Sequence, residues 1–299
     1  MNPLREKTEY RLTKGFFLIL HRCPDQVIYG ACNLVASLVY RLGVKRRHIT
    51  MKNLELAFPD KTPKARKQIA RSAYTHFGRM IAESAMILAG KITRERLMEM
   101  VDGEQIQKLL DLEASTDKGI LFITGHLGNF ELLAHYTGLC CQRGGYVVAR
   151  QGNNRLIDKK IVTPMRESFG NKVVYKQRAL PRIAQALKRG EHAGLLIDIK
   201  SNAHQGIPVQ FFGKETLSLK SSAYLQIKIK PLVIPLTLIR TETGDRYKLI
   251  VCDPIPQENS EKPKEEQIAE LTQIHQTELE KLIRQYPEQW FWMHNRWKF

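Results

Sequence analysis

The amino-acid sequence predicts an α/β protein with a largely parallel sheet flanked by helices, preceded by a helical N-terminal extension. From Gly119 onward, short apolar segments alternate with helical segments of about 10–15 residues, a pattern typical of βαβ units. No obvious linker divides residues 60–299, and 299 residues suffice to bury a full core. We therefore expect a helical region over residues 1–60 and one α/β domain over residues 61–299.

The N-terminal region differs from the rest because basic and apolar segments are interleaved. Through Thr75 there are 15 Lys or Arg and five Asp or Glu, so ten of the net +17 charges lie there. The apolar stretches 15–20 and 27–40 are each shorter than the about 20 residues that a spanning helix needs. We expect residues 10–42 to lie on an anionic membrane surface, with a tilted single span or a helix packed on the core as alternatives.

The elements of the second region follow in order. Thr62 is a hydroxyl N-cap and Pro63 suits the first helical position, so a helix begins there; its apolar residues keep a 3.6-residue period until Gly90 ends it. Strands are predicted at 119–124, 146–149, 172–175, 193–197, 231–239 and 246–252, and the last of them suits an antiparallel position at an edge. Helices are predicted at 129–142, 155–169, 180–189, 217–229 and 262–285. An aromatic and basic tail, 290–299, packs on the sheet or anchors at a membrane interface.

The net charge and the cysteine content limit the kinds of partner and compartment that we expect. A net charge of +17 implies an anionic partner, which could be nucleic acid, an anionic membrane or a phosphorylated substrate. The five cysteines form no CxxC pair, so neither a zinc cage nor a disulfide framework is indicated, and a reduced compartment is expected.

The segment 125–131, Gly-His-Leu-Gly-Asn-Phe-Glu, follows the predicted strand 119–124 and opens the predicted helix 129–142. His126 and Glu131 therefore lie at a strand-to-helix turn, where catalytic groups gather in α/β folds. If the two side chains meet, the carboxylate would fix the imidazole tautomer and support its protonated form. The alternative is that His126 is a helix cap or a buried hydrogen-bonding residue.

The spacing of this pair disfavours a metal. Five residues separate the side chains by about 140° on a continuous helix, whereas metalloprotease pairs use i, i+4. The glycines Gly125 and Gly128 let backbone amides approach a ligand, and amides at a helix N-terminus can hold a developing oxyanion. GxSxG, Walker, GxGxxG and HExxH motifs are absent from the sequence. The spacing thus argues against a helical zinc site, and the missing motifs leave the His126 and Glu131 constellation as the main candidate.

Gly125, His126 and Glu131 after an apolar strand resemble the HX4(D/E) signature of glycerolipid acyltransferases. The glutamate form, with Asn129 before it, resembles the late acyltransferases of bacterial lipid A biosynthesis, the lauroyl and myristoyl transferases. Six further segments match that family in order, so the resemblance covers most of the chain: 53–59, 150–154, 165–167, 196–198, 209–214 and 286–298. Gln151, Asn153 and the stretch between Gly213 and Ala223 depart from the family pattern, which bears on substrate identity more than on the reaction.

The resemblance implies a glycerolipid-acyltransferase-like fold and transfer of a fatty acyl group from acyl carrier protein or coenzyme A to a hydroxyl of a lipid A precursor. It implies His126 as general base with Glu131 as its support, and we expect neither a metal nor a bound cofactor for this mechanism. Arg166 and Asp198 match the family's other functional pair: Arg166 would bind acceptor phosphate, unless it is merely a solvated helix charge, and Asp198 would position Arg166 or the acceptor. The further substrate contacts that we expect are Arg150, Asn129, Gly125 and Gly128.

The expected location is the cytoplasmic face of the bacterial inner membrane. A rival with the same fold would acylate another glycolipid, such as a phosphatidylinositol mannoside, from acyl-CoA. A rival of a different class is a basic nucleic-acid-binding protein, but the sequence contains no RNP-type aromatic motif, KH loop or zinc finger. A lipid-binding protein with a degenerate site is disfavoured by the intact His126 and Glu131.

Overall fold

The computed structural model describes residues 3–201, 206–257 and 261–298. Residues 1–2 of the predicted N-terminal region and Phe299 of the aromatic tail lie outside the described residues. The described strands are β1 (Val101–Asp102), β2 (Ile120–Thr124), β3 (Gly145–Ala149), β4 (Asn171–Tyr175), β5 (His192–Leu196), β6 (Gly206–Phe211), β7 (Lys214–Leu219), β8 (Leu232–Arg240) and β9 (Tyr247–Val251).

Helices flank the sheet and also make up the N-terminal region. They are α1 (Pro3–Arg22), α2 (Asp25–Leu42), α3 (Val44–Ala57), α4 (Pro63–Leu88), α5 (Arg94–Met100), α6 (Ile106–Ala114), α7 (Phe130–Cys140), α8 (Arg155–Ile157), α9 (Thr163–Glu167), α10 (Ala179–Lys188), α11 (Ser221–Ile229) and α12 (Lys264–Gln285). A π-helical turn, Asp158–Val162, joins α8 to α9, which makes 155–167 one continuous helical segment.

The central sheet has seven strands in the order β1-β9-β8-β2-β5-β3-β4. All neighbours are parallel except β8 and β9, which confirms the mixed, largely parallel α/β class. Every residue of β2 is buried, as expected for a parallel strand covered on both faces. Because β2 and β5 are parallel neighbours, the loops that follow them emerge side by side at one edge of the sheet.

Two details of the sheet differ from the prediction. β9 is antiparallel to β8, as expected, but it is not an edge strand, because Val101 and Asp102 of β1 pair with its outer side. The helix expected over 217–229 begins only at Ser221, because 214–219 is a strand of the β6–β7 hairpin. Phe212 (φ 53°) and Gly213 (φ 69°) form its two-residue turn, and positive φ at both positions favours a hairpin.

Residues 10–42, the segment predicted to lie on a membrane surface, fall in two helices that are separated at Pro24. α2 packs closely on α4, since a Cβ at Gly78 would lie 2.8 Å from the Cβ of Ala36. No single helix among the described ranges is long and apolar enough to cross a membrane; α2 and α3 together meet that test but are bent by 83°. Both α1 and α2 leave large apolar side chains exposed: Leu4, Leu12, Phe16, Leu18, Ile19, Val27, Leu34, Val35, Leu38, Val39 and Leu42.

α3 is part of the core rather than of this exposed surface. Leu54 is fully buried, and Ala57 and Phe58 join the same apolar cluster as the strands β2 and β8. Asn53 donates to the backbone carbonyls of Trp292 (2.8 Å) and His294 (2.7 Å), which ties α3 to the C-terminal segment 287–298.

Candidate active site

The loop between β2 and α7 places His126 beside the residue that follows β5. The imidazole Nδ1 lies 2.8 Å from Asp198 Oδ1, and the backbone N–H of His126 donates to Asp198 Oδ2 at 2.7 Å. Ile197 N–H donates to the Thr124 carbonyl at 2.9 Å, which extends the β2–β5 pairing up to this point. The parallel register therefore brings together two residues that are 72 positions apart.

Asp198 is buried and has a third donor, the indole N–H of Trp290, at 2.9 Å from Oδ2. Burial by itself would raise the pKa of this carboxyl, but the His126 imidazole and the three N–H donors hold the pKa well below its usual range. For His126, burial by itself would lower the pKa; the charge and hydrogen bond of Asp198 and the charge of Glu131 outweigh it, so the pKa is raised. An ionised Asp198 thus faces a readily protonated imidazole.

This hydrogen bond determines which imidazole nitrogen can act as a base. With the proton on Nδ1 donated to Asp198, the lone pair is on Nε2. No described residue makes a hydrogen bond to Nε2. His126 lies at a small, mostly apolar pocket, in edge contact with the Phe130 ring at 4.7 Å between centroids. Other residues that line this pocket are Ala73, His76, Phe77, Met80, Gly128, Gln289, Trp290 and Phe291.

Among the described residues, no hydrogen bond or ion pair joins Glu131 to His126, although the charge of Glu131 helps to raise the pKa of the imidazole. Glu131 is in the first turn of α7, and its Oε1 forms an ion pair with Arg166 Nη2 at 3.6 Å. Both side chains are about one quarter exposed, at 29% and 24%. Asp198 likewise does not position Arg166, because both of its oxygens accept from His126 or Trp290. In the structure, Asp198 is the partner of His126 and Glu131 is the partner of Arg166, the reverse of the pairing that the sequence suggested.

Asn129 has a structural position rather than a substrate-facing one, contrary to the expectation. It is fully buried, and its Oδ1 caps α7 by accepting from Leu132 N–H at 3.0 Å. Its Nδ2 donates to Glu83 Oε2 at 2.7 Å and to the Tyr247 hydroxyl at 3.0 Å. Glu83 is buried and also pairs with Arg240 Nη2 at 2.7 Å. The loop is therefore anchored from behind by a buried ionic network.

Both glycines of the motif are needed for close approach, but not for the reason expected. A Cβ at Gly125 would lie 3.0 Å from Asp198 Oδ2, so this glycine leaves room for the carboxylate. Gly128 has φ 60°, and a Cβ there would lie 2.1 Å from the Leu238 carbonyl oxygen. Its N–H donates to Gln289 O at 3.0 Å and its carbonyl accepts from His76 at 3.0 Å. The amide of Gly128 is thus engaged within the protein and does not face a ligand.

Arg150 and Arg166 are the two arginines that the sequence predicted to bind substrate. Arg150 is exposed just after β3, and it makes no ion pair within the described ranges. Arg166 is near the end of the helical segment 155–167, held by Glu131. α1 packs on the start of that segment, where Asn154 Nδ2 donates to Glu9 Oε2 at 2.9 Å.

Sequence reasoning missed the contribution of the C-terminal segment. Phe291 N–H donates to the His126 carbonyl at 3.0 Å, and Trp290 reaches Asp198 from the same segment. Trp290 is 2% exposed and Trp292 is fully buried, so packing, not interfacial anchoring, describes these two tryptophans. The sequence feature that could have indicated this contact is the indole N–H of Trp290, since a buried tryptophan needs a hydrogen-bond acceptor.

One group of potential metal ligands occurs among the described residues, at the opposite end of β5. The ligand atoms of Glu113, Cys141 and His192 lie within 4.8 Å of one another. The Glu113 carboxylate, however, accepts from His192 Nε2 at 2.7 Å and from the backbone N–H groups of Gln142 and Arg143 at 3.1 and 2.9 Å. These bonds occupy the carboxylate and indicate a clamp on the turn after α7 rather than a cation site.

Fold and loop together define the class of protein: a glycerolipid-acyltransferase-like α/β enzyme, whose HX4E residues lie at the carboxyl edge of a mostly parallel sheet. Residues 3–299 match the family model described as bacterial lipid A biosynthesis acyltransferase, and the chain belongs to that family. It is 26% identical over 287 residues to a lipid A biosynthesis lauroyltransferase of Escherichia coli (strain K12), covering 95% of this chain and 89% of the relative.

Two further relatives agree with this assignment. A lipid A biosynthesis palmitoleoyltransferase of Escherichia coli (strain K12) is 24% identical over 255 residues, which cover 85% of this chain and 79% of the relative. A lipid A biosynthesis acyltransferase of Haemophilus influenzae is 26% identical over 261 residues, with coverage of 86% and 79%. The protein is thus an acyltransferase.

Proposed function

We propose that this protein transfers a fatty acyl group from a thioester to a hydroxyl of a lipid A precursor, with His126 as the general base. The observation that carries the proposal is the His126–Asp198 pair, with an Nδ1–Oδ1 distance of 2.8 Å, in a loop that matches the family motif. Asp198 holds the imidazole in the tautomer with its lone pair on Nε2 and stabilises the imidazolium that forms. Glu131 adds a second negative charge that favours the protonated form.

The proton transfers balance without a covalent enzyme intermediate. Nε2 of His126 removes the proton of the acceptor hydroxyl as its oxygen attacks the thioester carbonyl. The tetrahedral intermediate collapses, the carbon–sulfur bond breaks, and the imidazolium returns its proton to the leaving thiolate. α7 begins at Phe130, four residues after His126, and the positive end of its dipole would favour an oxyanion that develops there. The products are an ester and a free thiol, so no metal or bound cofactor is required.

We propose that Arg166 and Arg150 bind phosphate of the acceptor. A guanidinium forms bidentate hydrogen bonds with a phosphate. Arg166 is supported by its ion pair with Glu131. Because Glu131 is in the first turn of α7, this pair holds the guanidinium near the end of the helix that follows His126. Arg150 is exposed and contributes a charge that is screened by salt.

The N-terminal region, residues 1–60, is proposed to hold the enzyme on the cytoplasmic face of the inner membrane, with residues 61–299 as the acyltransferase domain. The exposed apolar residues of α1 and α2, such as Phe16 (55%) and Leu42 (75%), support contact with lipid acyl chains. The basic residues among them favour anionic headgroups. Acyl carrier protein is the proposed donor, with acyl-CoA as the other thioester to be tested.

The test is a mass-spectrometric acyl-transfer assay on detergent-purified protein. Acyl carrier protein and coenzyme A thioesters of several chain lengths are offered with a Kdo-linked tetra-acyl lipid A precursor. We expect a mass gain of one acyl group that disappears in His126→Ala but persists in His48→Ala, a control at an exposed histidine. A folded His126→Ala variant with full activity would reject the base. Transfer only to a phosphatidylinositol mannoside from acyl-CoA would assign the other glycolipid instead.

A further inference from the structure

A concave, strongly basic surface lies where α2, α3 and α4 meet. Four cationic side chains and one aromatic ring line it, and we call it the basic pocket: Tyr40, Arg41, Arg47, Lys67 and Arg71. These residues come from the end of α2, the start of α3 and the first three turns of α4. Among the residues that the structure describes, no aspartate or glutamate lines the basic pocket.

The charges of the basic pocket are largely unpaired. Within the described ranges, Arg41, Lys67 and Arg71 make no side-chain hydrogen bond or ion pair. Arg47 is held in place, because it donates to the Tyr40 and Arg41 carbonyls at 2.9 and 2.6 Å. Like charges held together repel each other unless an anion neutralises them. The arrangement therefore favours a bound anion.

This surface is separate from the candidate active site. On a helix of 3.6 residues per turn, Lys67 and Arg71 lie within about 40° of each other on one face of α4. The α4 residues that line the His126 pocket, Ala73, His76, Phe77 and Met80, are centred about 190° from Arg71. α4 thus presents one face to the reaction and the opposite face to the basic pocket.

The surroundings of the basic pocket indicate what kind of anion it takes. Leu38, Val39 and Leu42 are exposed in the last turns of α2, at 43, 47 and 75%, and they lead directly to Arg41. An apolar helix face that ends in a tyrosine and several guanidinium groups suits the boundary between acyl chains and headgroups. The guanidinium groups of Arg41 and Arg71, which are not engaged within the described ranges, suit a phosphate, because each can donate two parallel hydrogen bonds.

We propose that the basic pocket binds the phosphate group of a membrane lipid. The proposal relies in part on the membrane location given under Proposed function, but not on the chemistry at His126. Such a contact would fix the corner between α2 and α3. α3 in turn holds the C-terminal segment through Asn53, and that segment contacts Asp198 through Trp290.

The experiment measures binding without turnover, so its failure is distinguishable from a failure of acyl transfer. Full-length protein is mixed with vesicles of equimolar phosphatidylglycerol and phosphatidylcholine, and the bound fraction is measured by sedimentation. The variant Arg41→Gln/Lys67→Gln/Arg71→Gln removes the unpaired charges. Each Lys or Arg near an anionic surface contributes about 1 kcal/mol, so we expect roughly a hundredfold weaker partitioning.

The control variant removes the same charge elsewhere, from three exposed lysines: Lys118→Gln/Lys188→Gln/Lys264→Gln. Its partitioning should stay within about twofold of the unaltered protein, because these lysines lie outside the basic pocket. Both variants are compared by thermal unfolding, so that a folding defect is recognised. Inorganic phosphate should broaden its phosphorus NMR signal with the control variant and not with the pocket variant.

Two supporting outcomes identify the source of the phosphate. If the pocket variant also raises the KM for the acceptor in detergent, the phosphate belongs to the acceptor lipid. If it weakens vesicle binding alone, the phosphate is that of a bulk phospholipid. Equal loss of vesicle binding in the pocket and control variants would overturn the proposal, since the surface would then be an ordinary solvated basic face.

Discussion

Asp198→Asn tests the proposed base most directly, because the hydrogen bonds around Asp198 determine how an asparagine would be oriented. Oδ2 accepts from the His126 backbone N–H at 2.7 Å and from the Trp290 indole N–H at 2.9 Å, whereas Oδ1 faces His126 Nδ1 at 2.8 Å. The single oxygen of asparagine would take the Oδ2 position, where two donors require an acceptor. Its NH2 group would then face Nδ1.

An amide that donates to Nδ1 places the imidazole proton on Nε2, which is the nitrogen that must accept the hydroxyl proton. The same exchange in the catalytic triad of serine proteases lowers kcat about 10⁴-fold. We expect kcat to fall by about 10³- to 10⁴-fold here, which corresponds to about 4–5.5 kcal/mol of lost transition-state stabilisation.

The measurement is the initial rate of ester formation at saturating donor, followed by mass spectrometry, with near-ultraviolet circular dichroism as a check on folding. Asp253→Asn, at a side chain that is 92% exposed, is the matched control and should have no effect. The double variant Trp290→Phe/Asp198→Asn removes one of the two donors at Oδ2. It should recover part of the lost rate, because the asparagine amide can then flip and place its oxygen opposite His126 Nδ1. A folded Asp198→Asn enzyme that keeps more than about one tenth of the activity would refute the tautomer mechanism.

Four further predictions concern acid–base behaviour and the supports of the loop. The pKa of His126 is raised above its ordinary 6.5 and the base is the neutral form, so kcat/KM should increase with pH through a value above 6.5; a pH-independent profile would contradict this. Trp290→Phe should lower kcat about tenfold and move that limb of the pH profile, since one donor to Asp198 is lost; a change in stability without a shifted limb would indicate packing alone. Arg240→Met should lower the free energy of urea unfolding by about 3–5 kcal/mol because it leaves Glu83 buried without its cation, and Glu83→Gln/Arg240→Met should restore most of the loss; equal loss in both variants would contradict the pairing. Gly128→Ala should prevent soluble folded expression, because its Cβ would meet the Leu238 carbonyl oxygen at 2.1 Å; a normal thermal midpoint would contradict that geometry.

Most of the strand and helix positions were predictable because they depend on local periodicity. Patterns of residues close in sequence predict the buried strand before His126, the helix from Pro63 and the alternation of strands and helices that follows Gly119. The β6–β7 hairpin was missed because its turn is Phe212-Gly213, and a phenylalanine at positive φ carries no turn signal.

The candidate site was predictable only in part. The loop that carries His126 could be located, because a strand followed by a glycine-containing turn and a helix is a local pattern. The resemblance supplied Asp198 and Arg166 as a pair, whereas nearness in sequence suggested Glu131 as the partner of His126. Glu131, five residues from His126, turned out to pair with Arg166, and Asp198 took the place beside the imidazole.

By itself, the sequence determined the α/β class, the family and the position of His126 at a strand end, since each depends on patterns within short segments. Only the tertiary structure decided that Asp198, 72 residues away, holds His126, and that Trp290, 92 residues beyond Asp198, supports that carboxylate. The physical reason is strand order. β2 and β5 are neighbours in the sheet although β3 and β4 lie between them in the chain, and no local pattern specifies which parallel strands will pair.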